Sequence, residues 1–147
     1  MVKILFVCHG NICRSPMAEF VMKDMLCKAG LQDRACVASV ATSTEELGNP
    51  IYPPAQAELR RHGIPFDRRR ARQITLRDVQ ENDLIYYMDS RNLQNLRRMF
   101  PNETKFQPLL PRDVADPWYS GDFATAFDQI EGGCRALFDL LKKKGEA

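Results

Sequence analysis

Apolar positions in this chain follow two periods in turn. Ile4-Leu5-Phe6-Val7 is a continuous β-prone run, the pattern of a strand covered on both faces. Ser15-Pro16 follows, with Ser placed as an N-cap and Pro at the first helical position. Ala18, Val21, Met22, Met25 and Ala29 then recur at helical spacing, and Gly30 is placed to end that helix. Cys36–Val40 reads as a second short strand. Pro53-Pro54 opens a helix through Leu59 that Gly63 can terminate. A third strand is predicted at Leu84-Ile85-Tyr86-Tyr87-Met88. Asp89 or Ser90 caps the next helix, which carries Leu93, Leu96 and Met99 and stops before Pro101. A fourth strand includes Phe106, with Leu109 and Leu110 near its end. After a polar loop, Phe127, Ile130, Cys134, Leu137, Phe138 and Leu141 mark a long C-terminal helix. Gly132-Gly133 weakens its middle by roughly 1 kcal/mol per Gly relative to Ala. Lysines 142 to 144 suit the negative end of its dipole.

This βαβα alternation implies one parallel sheet with helices on both faces. Ligands of such sheets bind at the carboxyl ends of the strands, so attention falls on the segment after the first strand.

Composition narrows the class. The chain has 147 residues, 44% hydrophobic and 27% charged, which fits one globular domain over 1–147 and excludes disorder, coiled coil and collagen. The net charge of +2 demands neither nucleic acid nor membrane. Six arginines fall between residues 60 and 72. A solvated face is the preferred reading, with a docking patch for acidic substrates behind it. The segment lacks the interleaved aromatics of a nucleic-acid site. No apolar run approaches the ~20 residues of a membrane span, and the apolar start is too short for a signal peptide. A cytoplasmic protein is expected. Five cysteines are too few and odd in number for a disulfide framework, and read as thiols. With only His9 and His62 and no paired-cysteine spacing, no zinc or other metal site is expected.

The loop after the first strand reads Cys8-His9-Gly10-Asn11-Ile12-Cys13-Arg14-Ser15-Pro16. A Cys six positions before an Arg means little alone. Here the Cys ends a buried strand, a Gly permits a tight turn, and a helix begins at once. Successive backbone N–H groups and a helix N-terminus make an oxyanion nest. Arg14 can clamp two phosphate oxygens. The same field favours the thiolate of Cys8, placed for in-line attack on phosphorus. The plain alternative is a small core residue at a strand end.

Val7-Cys8-His9-Gly10-Asn11-Ile12-Cys13-Arg14-Ser15-Pro16 resembles the signature loop of the low-molecular-weight protein tyrosine phosphatases. The resemblance continues through Ala41-Thr42-Ser43-Thr44, Gly48-Asn49-Pro50, His62-Gly63-Ile64-Pro65, Ala71-Arg72-Gln73-Ile74-Thr75, Met88-Asp89-Ser90-Arg91-Asn92-Leu93 and Asp116-Pro117-Trp118-Tyr119, covering essentially the whole chain. It implies a single-domain three-layer α/β/α fold with a four-stranded parallel sheet, flavodoxin-like or phosphotyrosine phosphatase I-like. It implies hydrolysis of phosphotyrosine through a cysteinyl-phosphate, with Cys8 as nucleophile, Arg14 as phosphate clamp, and no cofactor. Phosphotyrosyl proteins or peptides are the expected substrates, inorganic phosphate and related oxyanions the expected ligands, and a monomer the expected state.

Attack by a thiolate needs an acid for the leaving oxygen and later a base for water. Asp113 and Asp116 both lie after the fourth apolar run, and on sequence physics alone Asp113 is nearly as good as Asp116. The resemblance selects Asp116, which precedes Pro and an aromatic pair. It also implies that Asn11 supports the strained loop backbone and that the Ser15 hydroxyl supports the loop and stabilises the Cys8 thiolate, with Ser39 in the same hydrogen-bond network. Cys13 is implied as the partner of Cys8 in a reversible disulfide. Cys27, Cys36 and Cys134 are expected to pack within helices or strands. Gly10, Ile12 and Cys13 contribute to the phosphate site, and His9 lines the pocket mouth without a catalytic role. Trp118 and Tyr119 wall a slot for a phenyl ring, with Tyr52 a weaker candidate.

Two departures from the family pattern stand out. Glu45 occupies a position that is often aromatic, which removes a stacking surface and disfavours acidic peptides. Arg68-Arg69-Arg70 stands where a His commonly precedes Ala-Arg-Gln, so the network around Asn11 is expected to be built differently. Three other activities compete with phosphotyrosine hydrolysis. A protein arginine phosphatase of the same fold tends to have Thr where Ile12 stands and to lack the aromatic pair. A thiol-dependent arsenate reductase needs relay cysteines, and none lies between 36 and 134. A phosphopeptide-binding module without turnover would need neither Cys8 nor Asp116.

Overall fold

In the structure, a computed structural model that describes residues 1–144, the first apolar run is β1 (Val2–Cys8). It lies inside a sheet of order β2-β1-β3-β4, with β2 at Ala35–Ala41, β3 at Leu84–Tyr87 and β4 at Phe106–Pro108. Every pairing is parallel. Ile4 and Phe6 pack on one face with α1 (Arg14–Lys28), α2 (Pro53–Arg61) and α6 (Phe123–Lys143). Leu5 and Val7 pack on the other face with Val79 of α3 (Leu76–Glu81) and Leu96 of α4 (Ser90–Met99). The three-layer α/β/α arrangement explains why β1 is apolar at successive positions rather than alternate ones.

Several local expectations are corrected. The first helix begins at Arg14, with Cys13 at its N-cap position and no side-chain cap. Ser15 therefore caps nothing; its hydroxyl turns to the loop instead. Met88 lies beyond β3. Met99 is exposed on α4, and Asn92 is buried there beside Leu96. Helix α3 was not expected, although Thr75 and Asp78 form a reciprocal capping box at its start. The polar loop before the last helix holds α5 (Pro117–Ser120), N-capped by Asp116, and α6 starts at Phe123, earlier than its apolar stripe. Cys134 is buried as expected, but Cys27 and Cys36 are exposed on α1 and β2. Among the described residues, no helix is long and apolar enough to cross a membrane.

Gly133 explains itself. A Cβ built there would lie 2.6 Å from Leu109 Cγ, whereas one at Gly132 meets nothing within 4 Å. The contact of α6 with Leu109, just past β4, needs one glycine of the pair.

Candidate active site

The segment between β1 and α1 closes tightly on itself. Cys8, the last residue of β1, is 3% exposed. Its carbonyl accepts from the Thr42 N–H at 2.9 Å, which ties the strand end to the segment after β2. Its sulfur accepts from the Asn11 N–H at 3.3 Å and lies 3.0 Å from Ser15 Oγ. Asn11 has φ of 60°, the left-handed region, and is the only non-glycine residue there among the described residues. Asn tolerates this conformation better than most residues. Its Nδ2 donates to Ser15 Oγ at 2.8 Å and to Ser39 Oγ at 3.0 Å. Ser39 in turn donates to Glu19 at 2.6 Å. Asn11, Ser15 and Ser39, all buried, thus form one network beneath the sulfur.

Arg14 is 2% exposed. Its Nη1 donates to Asp89 Oδ2 at 2.8 Å and to the Val114 carbonyl at 3.1 Å. Its Nη2 lies 3.3 Å from Asp116 Oδ2. Burial alone would weaken the guanidinium as a base, but the negative charges of Cys8, Asp116 and Asp89 raise its pKa above the usual value. Asp89 does two jobs, since its other oxygen accepts from the Asn92 N–H and caps α4. Asp113 sits elsewhere: it accepts from the Ser90 N–H at 3.0 Å and the Ser90 hydroxyl at 3.2 Å. Only Asp116 of the two candidates reaches Arg14.

These groups line a cavity of about 100 Å³ with Cys8, Gly10, Ile12, Cys13, Arg14 and Asp116 in its wall and His9, Glu45, Glu46, Trp118 and Tyr119 around it. His9 Nε2 pairs with Glu45 Oε2 at 2.8 Å at the rim. Trp118 is half exposed and Tyr119 still more so. Tyr52 stands behind the wall; its ring centroid is 4.9 Å from that of Trp118, so it braces the indole. Burial, then the charge of Cys8, pushes the Cys13 thiol well up from its ordinary value, and Cys8 and Cys13 are both free thiols. A larger hollow of about 660 Å³ lies at the amino ends of β1 and β3 and holds no Cys or His; size does not mark the chemistry here. Among the described residues, no group of three or more His, Cys, Asp or Glu could hold a metal ion.

Sequence reasoning missed three residues. Glu19 and Asp89 are carboxylates on helices whose inward turn shows only once the elements are packed. Arg69 turns inward from a run expected to be solvated: Nη1 donates to the Asn11 carbonyl at 2.8 Å, and Nη2 donates to Asn11 Oδ1. The signal for it was the substitution at this position.

A buried thiol at a strand end, accepting from a backbone N–H and sharing its cavity with a buried Arg, fits a phosphate-handling enzyme of the doubly wound α/β class. Residues 3–147 match the family model described as low molecular weight phosphotyrosine protein phosphatase, and the chain belongs to that family. It is 39% identical to the low molecular weight protein-tyrosine-phosphatase YfkJ of Bacillus subtilis, over 98% of each chain. The crystal structure of YfkJ superposes with a TM-score of 0.94 at 38% identity, covering 98% of this chain and 96% of that one. The human low molecular weight phosphotyrosine protein phosphatase is 38% identical over 92% of this chain and 93% of its own. The Drosophila arginine phosphatase DARP superposes with a TM-score of 0.87 at 32% identity, covering 96% of this chain and 98% of that one.

Proposed function

We propose that this protein hydrolyses phosphotyrosine with Cys8 as nucleophile, Arg14 as phosphate clamp and Asp116 as general acid and then base. The carrying observation is the meeting of all three on one small cavity, with the Cys8 sulfur 3.0 Å from Ser15 Oγ and Asp116 3.3 Å from Arg14. In the first step the sulfur lone pair forms the S–P bond as the P–O bond to the tyrosyl oxygen breaks. Asp116 gives its proton to that oxygen. The backbone N–H groups of residues 9–14 and the Arg14 guanidinium hold the equatorial oxygens. In the second step Asp116, now a carboxylate, takes a proton from water as its oxygen attacks phosphorus. The thiolate leaves and inorganic phosphate is released.

Asn11, Ser15 and Ser39 support the loop, and Gly10, Ile12 and Cys13 complete its lining. Trp118 and Tyr119 flank the phenyl ring. Glu45, paired with His9, places negative charge at the rim and disfavours acidic peptides. We read residues 1–147 as one catalytic domain acting as a cytoplasmic monomer. Oxidation by a peroxide would join Cys8 and Cys13, two electrons passing from the thiols to the oxidant.

The similarity to an arginine phosphatase structure keeps a second substrate in view. Ile12 in the cavity wall and the Trp118-Tyr119 pair favour an aryl ring over a guanidinium. Matched phosphotyrosyl and phosphoarginyl peptides compared by kcat/KM decide it. Tyrosine is expected to win by about 10²-fold or more; a preference for phosphoarginine would overturn the substrate assignment.

A further inference from the structure

Arg69 is bonded unlike its neighbours in the arginine run. Its guanidinium grips one residue twice, donating to the backbone carbonyl of Asn11 at 2.8 Å and to its side-chain oxygen Oδ1. It also donates to the Arg70 carbonyl at 3.3 Å. The Arg72 N–H donates to the same Oδ1 at 3.3 Å. Asn11 is fully buried and holds the left-handed backbone of the phosphate loop.

Guanidinium has only donors and keeps its charge in proteins. Burial lowers the Arg69 pKa, against the charges of Glu19 and Cys8, without bringing it near neutrality. Facing a donor-only group, the Asn11 amide has one orientation: Oδ1 toward Arg69, Nδ2 away from it. The two Nδ2 hydrogens then go to Ser15 Oγ and Ser39 Oγ. Each hydroxyl, having accepted, is left to donate its own proton. Ser39 gives its proton to Glu19 at 2.6 Å. Ser15 has the Cys8 sulfur at 3.0 Å and the more distant Val40 carbonyl at 3.4 Å. A flipped amide would put Oδ1 against Ser15 and draw that proton off the sulfur.

We propose that Arg69 is a positioning residue: by holding Asn11 in one amide orientation, it directs the Ser15 hydroxyl to donate to the thiolate of Cys8. The inference rests on Cys8 as the nucleophile. Arg69 acts through Asn11 and Ser15 and touches neither the sulfur nor the substrate.

The other titratable and charged groups on the Cys8 cavity are Arg14, the Cys13 thiol, Asp116, His9, Glu45 and Glu46, with Asp89 behind Arg14 and Glu19 behind Ser39. Arg69 also adds a positive charge near Cys8, so direction and simple charge must be separated. Arg69→Met and Arg69→Lys are made in the wild type and in Ser15→Ala. The rate of Cys8 alkylation by iodoacetamide is followed against pH, with peptide mapping to set aside the exposed Cys27 and Cys36. Arg69→Met is expected to move the alkylation midpoint to higher pH and to lower kcat about tenfold, the scale of a hydrogen bond to a charged group. KM should change less. Arg69→Lys, also donor-only, should keep most of both. In Ser15→Ala, Arg69→Met should add less than about twofold, because the path is already cut. An unchanged alkylation profile in Arg69→Met would overturn the proposal. So would an equal shift in the Ser15→Ala background, which would mean charge acting through space. If Arg69→Met does not fold by circular dichroism, Arg69→Gln, an amide that both donates and accepts, takes its place with the same expected shift. Full turnover in Cys8→Ser would instead remove the nucleophile assignment itself.

Discussion

At the scale of single residues, Arg14 shows how much of the site is set before any substrate arrives. One guanidinium nitrogen is held by Asp89 and the Val114 carbonyl, and the other faces Asp116. Leaving so buried a cation without partners would be costly, and the arrangement also places Asp116, the proposed acid, beside the proposed phosphate clamp. The two aspartates of the 112–119 segment separate here. Asp113 holds the first N–H of α4, so Asp113→Ala should lower stability by about 1 kcal/mol and leave kcat nearly unchanged. Asp116→Ala should lower kcat/KM on a phosphotyrosyl peptide by about 10²–10⁴-fold, and should lower kcat/KM much less on an aryl phosphate whose leaving group needs no proton. Denaturant melts and steady-state kinetics on both variants check this; the reverse pattern would exchange the roles. Cys8, Arg14 and the two Asp candidates were legible because strand, turn and helix signals surround them. Glu19, Asp89 and Arg69 were not. Glu19 and Arg69 look like solvated surface residues, and Asp89 like a helix cap alone, until packing turns them inward.

At the scale of elements, the position of α1 is instructive. Ser15-Pro16 carries the ordinary sequence signal of a helix start, yet the helix begins at Arg14. Ser15 is engaged by the network under Cys8, its hydroxyl accepting from Asn11 Nδ2 and lying 3.0 Å from the sulfur. Local chemistry overrode local propensity where the site needed it. Helix α3 shows the opposite case. Its Thr75-Leu76-Arg77-Asp78 box was readable, but only Val79 is buried in it, so no apolar period announced it. The Gly132-Gly133 pair, a weakness in α6 by helix propensity, divides into one spacer and one unforced glycine. Gly133→Ala should destabilise by about 1–3 kcal/mol, because its new methyl collides with Leu109. Gly132→Ala should stabilise by about 0.5–1 kcal/mol through the lost flexibility of the unfolded chain. Thermal melts of the two variants should therefore move in opposite directions.

At the scale of the whole molecule, the order β2-β1-β3-β4 puts β1 where the chain's progression reverses. The crevice at the carboxyl ends of the strands opens there. That placement brings the β1–α1 loop together with Ser39 from β2, Asp89 after β3 and Asp116 after β4. The alternation of apolar runs foretold the parallel sheet and the end that would carry chemistry. It could not foretell which distant side chains would converge, since convergence depends on register and crossing rather than on period. Net charge was uninformative for a related reason. The positive field is made by one loop of backbone N–H groups, the buried Arg14 and the half-buried Arg69, and carboxylates offset it nearby. The central claim is that phosphate passes through the sulfur of Cys8. It is tested most directly by rapid denaturing quench of Asp116→Ala with an aryl phosphate of good leaving group, where loss of the base should make the intermediate accumulate. Peptide mapping by mass spectrometry should find the phosphoryl group on the peptide containing Cys8. Turnover without a covalent phosphoryl-enzyme, or phosphate on another residue, would contradict the account.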